Sequence, residues 1–499
     1  MVNLSAHILY HASRTPDRLA IIYERQRVSY ADLADRVLRM AGWLQARGVA
    51  PDQVVAVAMK NSAAFIEIAL AVSHIGAIFL PINFRLSAGE IEYIADNAEA
   101  VLLFADEEYA AVVARISSVV LVDAATQSDS RVLSQDAAAS PMAIRRPENL
   151  FRLMYTSGTT DRPKGVMHTY DNYYWKSLDH IAALSLTAEE RLLVVGPLYH
   201  VGAFDLPGTT VLHLGGMILI QRNFDEAEVF AAIETERLTG AWFAPVMVGR
   251  LLAHEKSDDY DLSSFRWAIG GGEKTPEKRI LAFGELFRSG RYVDAYGLTE
   301  TCSGDTMMEA GREMEKIGST GRAMPHVAIR ICDDNGNPVV IGEDGEICLR
   351  GPKVTRGYWK EETKTRQSFF GDWFRTGDVG HLDEEGFLYL TDRKKDMIIS
   401  GGENVASSEV ERVIFMLPEV ADVAVIGLPD PSWGECVAAV VVLQSGRNLD
   451  LPTLAAFCRT HMASFKVPKH LILRELLPRN PSGKILKRVL RDELATTAT

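Results

Sequence analysis

Cysteine is scarce. The 499 residues hold five (Cys302, Cys332, Cys348, Cys436 and Cys458), with no CxxC spacing and an odd count that cannot fully pair. That excludes a disulfide framework and fits a reduced, cytoplasmic compartment. Long apolar runs are missing too. The most apolar window, residues 206–221, is broken by His213 and by several Gly and Pro, and is too short for a bilayer. The first twenty residues show no basic stretch followed by an apolar one, so no secretory signal is expected. Positive charge is in deficit: 53 Lys and Arg against 66 Asp and Glu leave −13. No electropositive footprint is left for nucleic acid, and an anionic membrane repels such a surface on average. No internal repeat and no low-complexity segment occurs.

What is present is an ordinary globular balance, 47% hydrophobic and 24% charged. A single core stops growing near ~250–300 residues, so at least two domains are expected. Apolar spacing predicts a helix over 31–46, a buried strand over 54–58, a helix over 63–72, a strand at 78–80, a helix over 90–95 and a strand over 101–104. This alternation predicts an α/β domain with a largely parallel sheet and covering helices. A less ordered stretch, 124–147, precedes a strand at 151–155. From Ile329 the turns DDNGNP, GEDGE and LDEEGF predict a small β subdomain. Beyond Asp392-Arg393-Lys394-Lys395-Asp396, helices at 408–416 and 454–462 and strands at 423–427 and 437–443 predict a small α+β unit. The boundary is placed at Lys395, giving a large domain over 1–394 and a small one over 395–499.

The strongest local signal is Tyr155-Thr-Ser-Gly-Thr-Thr-Asp-Arg-Pro-Lys-Gly165, following an apolar strand. Glycines let backbone N–H groups face an anion, hydroxyls add donors, and Lys164 brings a point charge for a phosphate oxygen. The spacing is not that of a Walker A loop; a polar surface loop without a ligand is the plain alternative. Gly270-Gly271-Gly272-Glu273 follows an apolar strand and permits close backbone approach to a flat ligand, or simply a tight turn. Tyr296-Gly297-Leu298-Thr299-Glu300 sets a hydroxyl beside a carboxylate; taken alone it reads as a strand end with a helix cap. Asp378, in Arg375-Thr-Gly-Asp, suits two neighbouring hydroxyls or a turn.

Together with Trp373-Phe-Arg-Thr-Gly-Asp378, Asp392-Arg-Lys-Lys-Asp396, Ser400-Gly-Gly-Glu-Asn404 and Pro478-Arg-Asn-Pro-Ser-Gly-Lys484, these segments occur in the order found in the adenylate-forming superfamily, which the chain resembles from Tyr155 to Lys484. The superfamily includes acyl-CoA synthetases, luciferases and nonribosomal adenylation domains. The resemblance implies ATP, Mg²⁺ and coenzyme A as co-substrates and an acyl-CoA synthetase acting on a hydrophobic fatty, aryl or alicyclic acid through an acyl-AMP. It implies that Thr156, Ser157, Gly158, Thr159, Thr160 and Lys164 hold phosphates, and that Gly271, Gly272, Glu273, Asp294, Tyr296 and Gly297 line the adenine site. By the same likeness Thr299 grips the α-phosphate, Glu300 the Mg²⁺, Asp378 the ribose diol and Arg393 the same nucleotide. Lys484 bridges the acid's carboxylate and the α-phosphate. Lys395 is the hinge about which the small domain swings; Ser400, Gly401 and Gly402 then flank the pantetheine arm, and Trp433, Phe465 and Lys469 meet the nucleotide end of coenzyme A. Monomers or homodimers are the family's usual states.

The resemblance also outlines the acid pocket: His200 as its gate, with Val201, Gly202, Asp205, Trp242, Pro245, Gly271, Cys302 and Met307 around it. Most are apolar or small. Asp205 is the exception: a carboxylate in apolar surroundings costs several kcal/mol unless paired or protonated. Either it recognises a polar group of the acid or it faces away. Asp161 stands where most relatives have glycine, and Ala406-Ser407 where a Tyr-Pro pair is common. Cys302 reads as pocket lining, since the attacking thiol is external. Two rivals stay open: an enzyme loading an amino or aryl acid onto a separate carrier protein, since about fifteen residues after Lys484 leave no room for a fused one, and a non-catalytic nucleotide-binding relative.

Overall fold

The computed structural model describes residues 2–123, 134–156, 162–272, 275–394, 396–400, 403–430, 433–479 and 484–495. Its first half is built on strands such as Val54–Ala58, whose five β-branched or small residues are all buried, as a strand covered on both faces requires. It lies in a six-stranded sheet ordered Val119–Val122, Ala100–Asp106, Val54–Ala58, Ile78–Pro81, Leu150–Thr156, Lys164–Thr169. The first five run parallel, and the last folds back antiparallel on Leu150–Thr156.

A nine-stranded sheet runs Arg322–Ala323, Thr306–Met307, Arg291–Tyr296, Trp267–Gly270, Gly240–Phe243, Arg191–Val194, Met217–Ile220, Leu19–Tyr23, Gln26–Ser29. Its interior is parallel and its edges antiparallel. The helix Ala63–His74 is buried at every position, the pattern of a helix inside a core rather than on a surface. Its one carboxylate, Glu67, is met by Arg36 at 2.8 Å. The helix expected from residue 31 begins at Tyr30, because Ser29 and Asp32 form a capping box there.

The expected β subdomain is a five-stranded antiparallel sheet of Ala328–Cys332, Gly345–Arg350, Phe369–Phe370, Trp373–Leu382 and Leu388–Arg393. The small C-terminal domain has its own sheet, in which Val420–Asp430 and Gly434–Leu443 form a long hairpin joined by Ile398–Ser400, Glu403–Val405 and His470–Leu473. The chain therefore changes sheet between Arg393 and Ile398. Across this junction Asp392 accepts from the N–H and hydroxyl of Ser407, both at 2.6 Å, Arg412 reaches Glu277 at 3.9 Å, and the Arg279 guanidinium lies 4.8 Å over the Phe415 ring.

Among the described residues no helix is long and apolar enough to cross a membrane. All five cysteines are free and buried.

Candidate functional site

Parallel strands present their carboxyl ends along one crevice, where ligands of open α/β sheets bind. Gly270 and Tyr296 end neighbouring strands of the large sheet, with Gly270 opposite Asp294, a buried residue of the second strand. Gly272 has φ +100°, a conformation that side-chain-bearing residues avoid, so the Gly271-Gly272 turn depends on glycine. Tyr296 reaches from its strand end to the antiparallel β sheet and donates to Asp378 Oδ2 at 2.9 Å. Arg393, Asp378's cross-strand partner, approaches Oδ1 at 3.1 Å. Burial raises the Tyr296 phenol well above its ordinary range, so it stays a donor. Two residues far apart in the chain, Tyr296 and Arg393, thus enclose the Asp378 carboxylate.

Next to this group is Glu300, in the single turn Thr299–Thr301. Tyr358 donates to its Oε1 at 3.0 Å, and Glu300's own carbonyl accepts from Thr355 N–H at 2.6 Å. Burial raises the Glu300 carboxyl above its ordinary value, with Asp378 adding to the effect. Lys164 Nζ lies 5.2 Å over the Tyr358 ring. Thr156 and Lys164 pair across the two strands that flank the loop. Lys164, Tyr358 and Glu300 therefore line one side of the crevice, cation and carboxylate separated by an aromatic ring. No three His, Cys, Asp or Glu side chains cluster as metal ligands among the described residues. One carboxylate does not make a resident ion site, but it fits Mg²⁺ that arrives on phosphates, since this ion is commonly held by one or two carboxylates plus substrate oxygens.

The apolar wall is built on Trp242. A Cβ at Gly196 or Gly202 would fall 2.4 and 2.6 Å from its ring carbons, so the indole fills a slot those glycines leave open, and its N–H edge reaches towards Gly271. His200 caps the helix Val201–Asp205, its Nδ1 accepting from Gly202 N–H at 3.0 Å, and stacks on Trp242 with centroids 6.0 Å apart. Burial lowers the His200 pKa to about 4, with Lys484 and Arg152 pushing the same way against Asp205. Lys484 is thus within electrostatic reach of His200, although it comes from the other domain. Cys302 and Met307 are buried, and Pro245 opens the helix Pro245–Leu252. Burial pushes the Cys302 thiol up to about 12, which leaves it unreactive at neutral pH.

Asp205 faces away from a substrate role. Its carboxylate sits 2.8 Å from Arg152 Nη2 and 3.4 Å from Lys176 Nζ, and all three side chains are fully buried. Its expected place among the acid-contacting groups is corrected by these two cations, which satisfy the charge internally.

In the small domain Ser400 is buried and pairs with Glu403 and Gly434. Trp433 is 45% exposed with Lys469 Nζ 3.8 Å over its ring, an open aromatic face beside a cation. Phe465 packs instead against the small domain's own core. Ser157, Gly158, Thr159, Thr160, Asp161, Glu273, Lys395, Gly401 and Gly402 lie outside the described residues.

Tyr358, Arg152, Lys176 and His168, whose Nε2 lies 2.7 Å from the Thr299 carbonyl oxygen, adjoin these groups without having been singled out in the sequence. Arg152 did leave a signal, a charge in the middle of the apolar strand Leu150–Thr156, since arginine is almost never fully buried unless paired.

Residues 9–359 match the family model of the AMP-binding enzymes and residues 409–484 that of the AMP-binding enzyme C-terminal domain. A feruloyl-CoA synthase of Amycolatopsis sp is 37% identical over 481 residues, 96% of this chain and 96% of that protein. An indoleacetate–CoA ligase of Aromatoleum aromaticum is 36% identical over 99% of this chain and 98% of its own. Among solved structures, the o-succinylbenzoate CoA synthetase of Bacillus subtilis, bound to its acyl-adenylate, superposes with TM-score 0.88 at 30% identity, covering 97% of this chain and 98% of that one; the same protein has been solved with ATP and magnesium. On fold, site and similarity together, the chain belongs to the AMP-binding, adenylate-forming enzymes, among their AMP-forming acid–thiol ligases.

Proposed function

We propose that this protein joins a hydrophobic, aryl-type carboxylic acid to coenzyme A in two steps. In the first, a carboxylate oxygen attacks the α-phosphorus of ATP and the bond to pyrophosphate breaks, giving acyl-AMP. In the second, the coenzyme A thiol displaces AMP. The observation that supports this reading is the grouping of Tyr296 and Arg393 on Asp378 with the Glu300 carboxyl near them, together with the charge of Lys484 felt at His200. In this reading Lys484 neutralises the two anions that must meet, the acid's carboxylate and the α-phosphate, and this class of reaction depends mainly on positioning and charge.

In this reading Tyr296 stacks on adenine, and Asp378 accepts from the ribose hydroxyls. Lys164 and Thr156 serve the phosphates, and Thr299 faces the α-phosphate. Glu300 supplies the one protein carboxylate for Mg²⁺, which neutralises phosphate charge when bound. Trp242, flat and set against His200, favours a planar ring over a long flexible chain, and feruloyl and indoleacetyl groups of the similar ligases have that shape. The Trp433–Lys469 pair receives the nucleotide end of coenzyme A by stacking and charge. The hinge is placed at Lys395, inside the interval where the chain changes sheet.

The test is AMP release from Mg-ATP with cinnamates, benzoates, indole acids, short and long fatty acids and amino acids, with and without coenzyme A. Coenzyme-A-dependent release strongest with aryl acids is expected, and Lys484→Ala should lower adenylation by at least about 100-fold. Acid-dependent pyrophosphate formation indifferent to coenzyme A would favour the carrier-loading enzyme. Wild-type rates in Lys484→Ala would remove the mechanism.

A further inference from the structure

The two strands flanking the phosphate loop are stapled at their base by a pair the reaction scheme does not use. Arg152, on Leu150–Thr156, and His168, on Lys164–Thr169, are cross-strand partners, and both side chains are fully buried. Arg152 Nε and Nη2 point at His168 Nδ1, at 3.0 and 2.9 Å. The other ring nitrogen, Nε2, lies 2.7 Å from the carbonyl oxygen of Thr299. Behind Arg152 stands Asp205 at 2.8 Å, itself shared with Lys176.

The chemistry of these groups leaves one arrangement. A guanidinium has only donors, so Nδ1 must present its lone pair, and the single proton of the neutral ring sits on Nε2. From there it donates to Thr299. The ring cannot take a second proton without facing the arginine with a like charge, and burial together with Arg152 lowers its pKa to about 3. The receiving carbonyl belongs to a turn that needs support. Cys302 and Ser303 follow it with φ of 54° and 73°, a left-handed conformation that is costly for non-glycine residues and persists only where neighbours enforce it.

We propose that Asp205, Arg152 and His168 form a positioning relay for adenylation: the carboxylate orients the guanidinium, the guanidinium fixes the imidazole tautomer, and Nε2–H fixes the Thr299 peptide, and with it the Thr299 hydroxyl and Glu300, against the strands that carry Thr156 and Lys164. This assigns Asp205 a role without contact to the acid. The relay acts on the first half-reaction and leaves the second alone, because the thiol step uses neither the loop nor the metal-facing carboxylate. It rests on the ligase reading above.

The experiment measures acid-dependent ATP–pyrophosphate exchange and, separately, thioester formation from supplied acyl-adenylate and coenzyme A, in the full-length wild type and in His168→Gln, His168→Leu and Arg152→Leu/His168→Leu. Glutamine carries the same acceptor and donor as the imidazole. The double variant removes the guanidinium whose Nε leucine alone would leave without an acceptor, while Lys176 still holds Asp205. Displacing reacting groups by about 1 Å can cost ~10²-fold. The exchange kcat should therefore fall at least about 30-fold in both leucine variants, with KM for ATP within about threefold, thioester formation within about twofold and an unchanged melting temperature. His168→Gln should recover to within about fivefold of wild type. Exchange at the wild-type rate in the leucine variants would overturn the relay alone. So would both half-reactions falling in proportion with the melting temperature, or a glutamine variant no better than leucine. A wild type silent in both half-reactions would overturn the ligase reading and the relay with it.

Discussion

Trp242 takes its position from residues that are small. Adding one carbon at Gly202 puts it 2.6 Å from the indole, well inside van der Waals contact, and the ring is the element that can give way. Gly202→Ala should therefore displace Trp242 into the acid pocket, raising KM for an aryl acid at least about fivefold while KM for ATP stays within about twofold. Trp242→Leu should do the reverse for bulkier acids, measured as the ratio of kcat/KM between a substituted and an unsubstituted ring. If both variants shifted the ATP and acid constants together, Trp242 would be a core residue and not a pocket wall. Asp205 shows the opposite lesson about single residues. Its identity and its place after Phe204 left open whether it meets the substrate or faces away, whereas Arg152 and Lys176, 53 and 29 positions earlier in the chain, are the cations its carboxylate meets. No local pattern carries that information.

His200 combines two roles that belong to its element, ending the turn before the helix Val201–Asp205 and presenting a ring to Trp242. Asparagine is among the best N-capping residues, and losing a cap costs roughly 1 kcal/mol. His200→Asn should then keep the melting temperature within about 2 °C of wild type, because the cap is retained, while the acid KM rises as the stacked ring is lost. A melting temperature that fell with unchanged acid KM would reduce His200 to a structural cap. At this scale the sequence was informative wherever an element makes its own rules. Helix 30–46, the strands at 54–58 and 78–81 and the fully buried helix 63–74 followed from apolar spacing. The hairpin Leu19–Tyr23 and Gln26–Ser29 and the helix Ser5–Arg14 did not stand out. The first strand acquires its identity only by pairing in parallel with Met217–Ile220, two hundred residues away.

Across the whole molecule, buried histidines set a dependence of stability on pH. Burial lowers the pKa of His168 to about 3 and of His200 and His213 to about 4, and lowers His7, His74 and His180 as well. Their folded-state values lie below the unfolded 6.5, so the folded protein binds fewer protons between these limits. The stability they contribute is complete above pH 6.5 and is lost as pH falls towards 4, by about 1.4 kcal/mol per unit for each fully neutral ring. Buried carboxyls with raised values, Asp106, Glu300, Asp305 and Glu411, act in the opposite sense but are fewer. The urea midpoint should accordingly drop between pH 7.5 and 5.5. A midpoint that held steady or rose would mean the carboxyls outweigh the histidines.

The sequence by itself determined where the candidate parts of the site lie along the chain. The phosphate loop, the glycine turn, Thr299 and Glu300, Asp378 and Lys484 lie in contiguous segments where backbone freedom and side-chain chemistry must coincide within a few residues, so their order along the chain is legible without a fold. The tertiary structure decided which groups face one another: Tyr296 and Arg393 on Asp378, Tyr358 on Glu300, His168 on Thr299. These pairings join elements far apart in sequence, and they exist only because burying two sheets and a small domain against one another brings the strand ends to a common crevice, where each buried charge must find a partner.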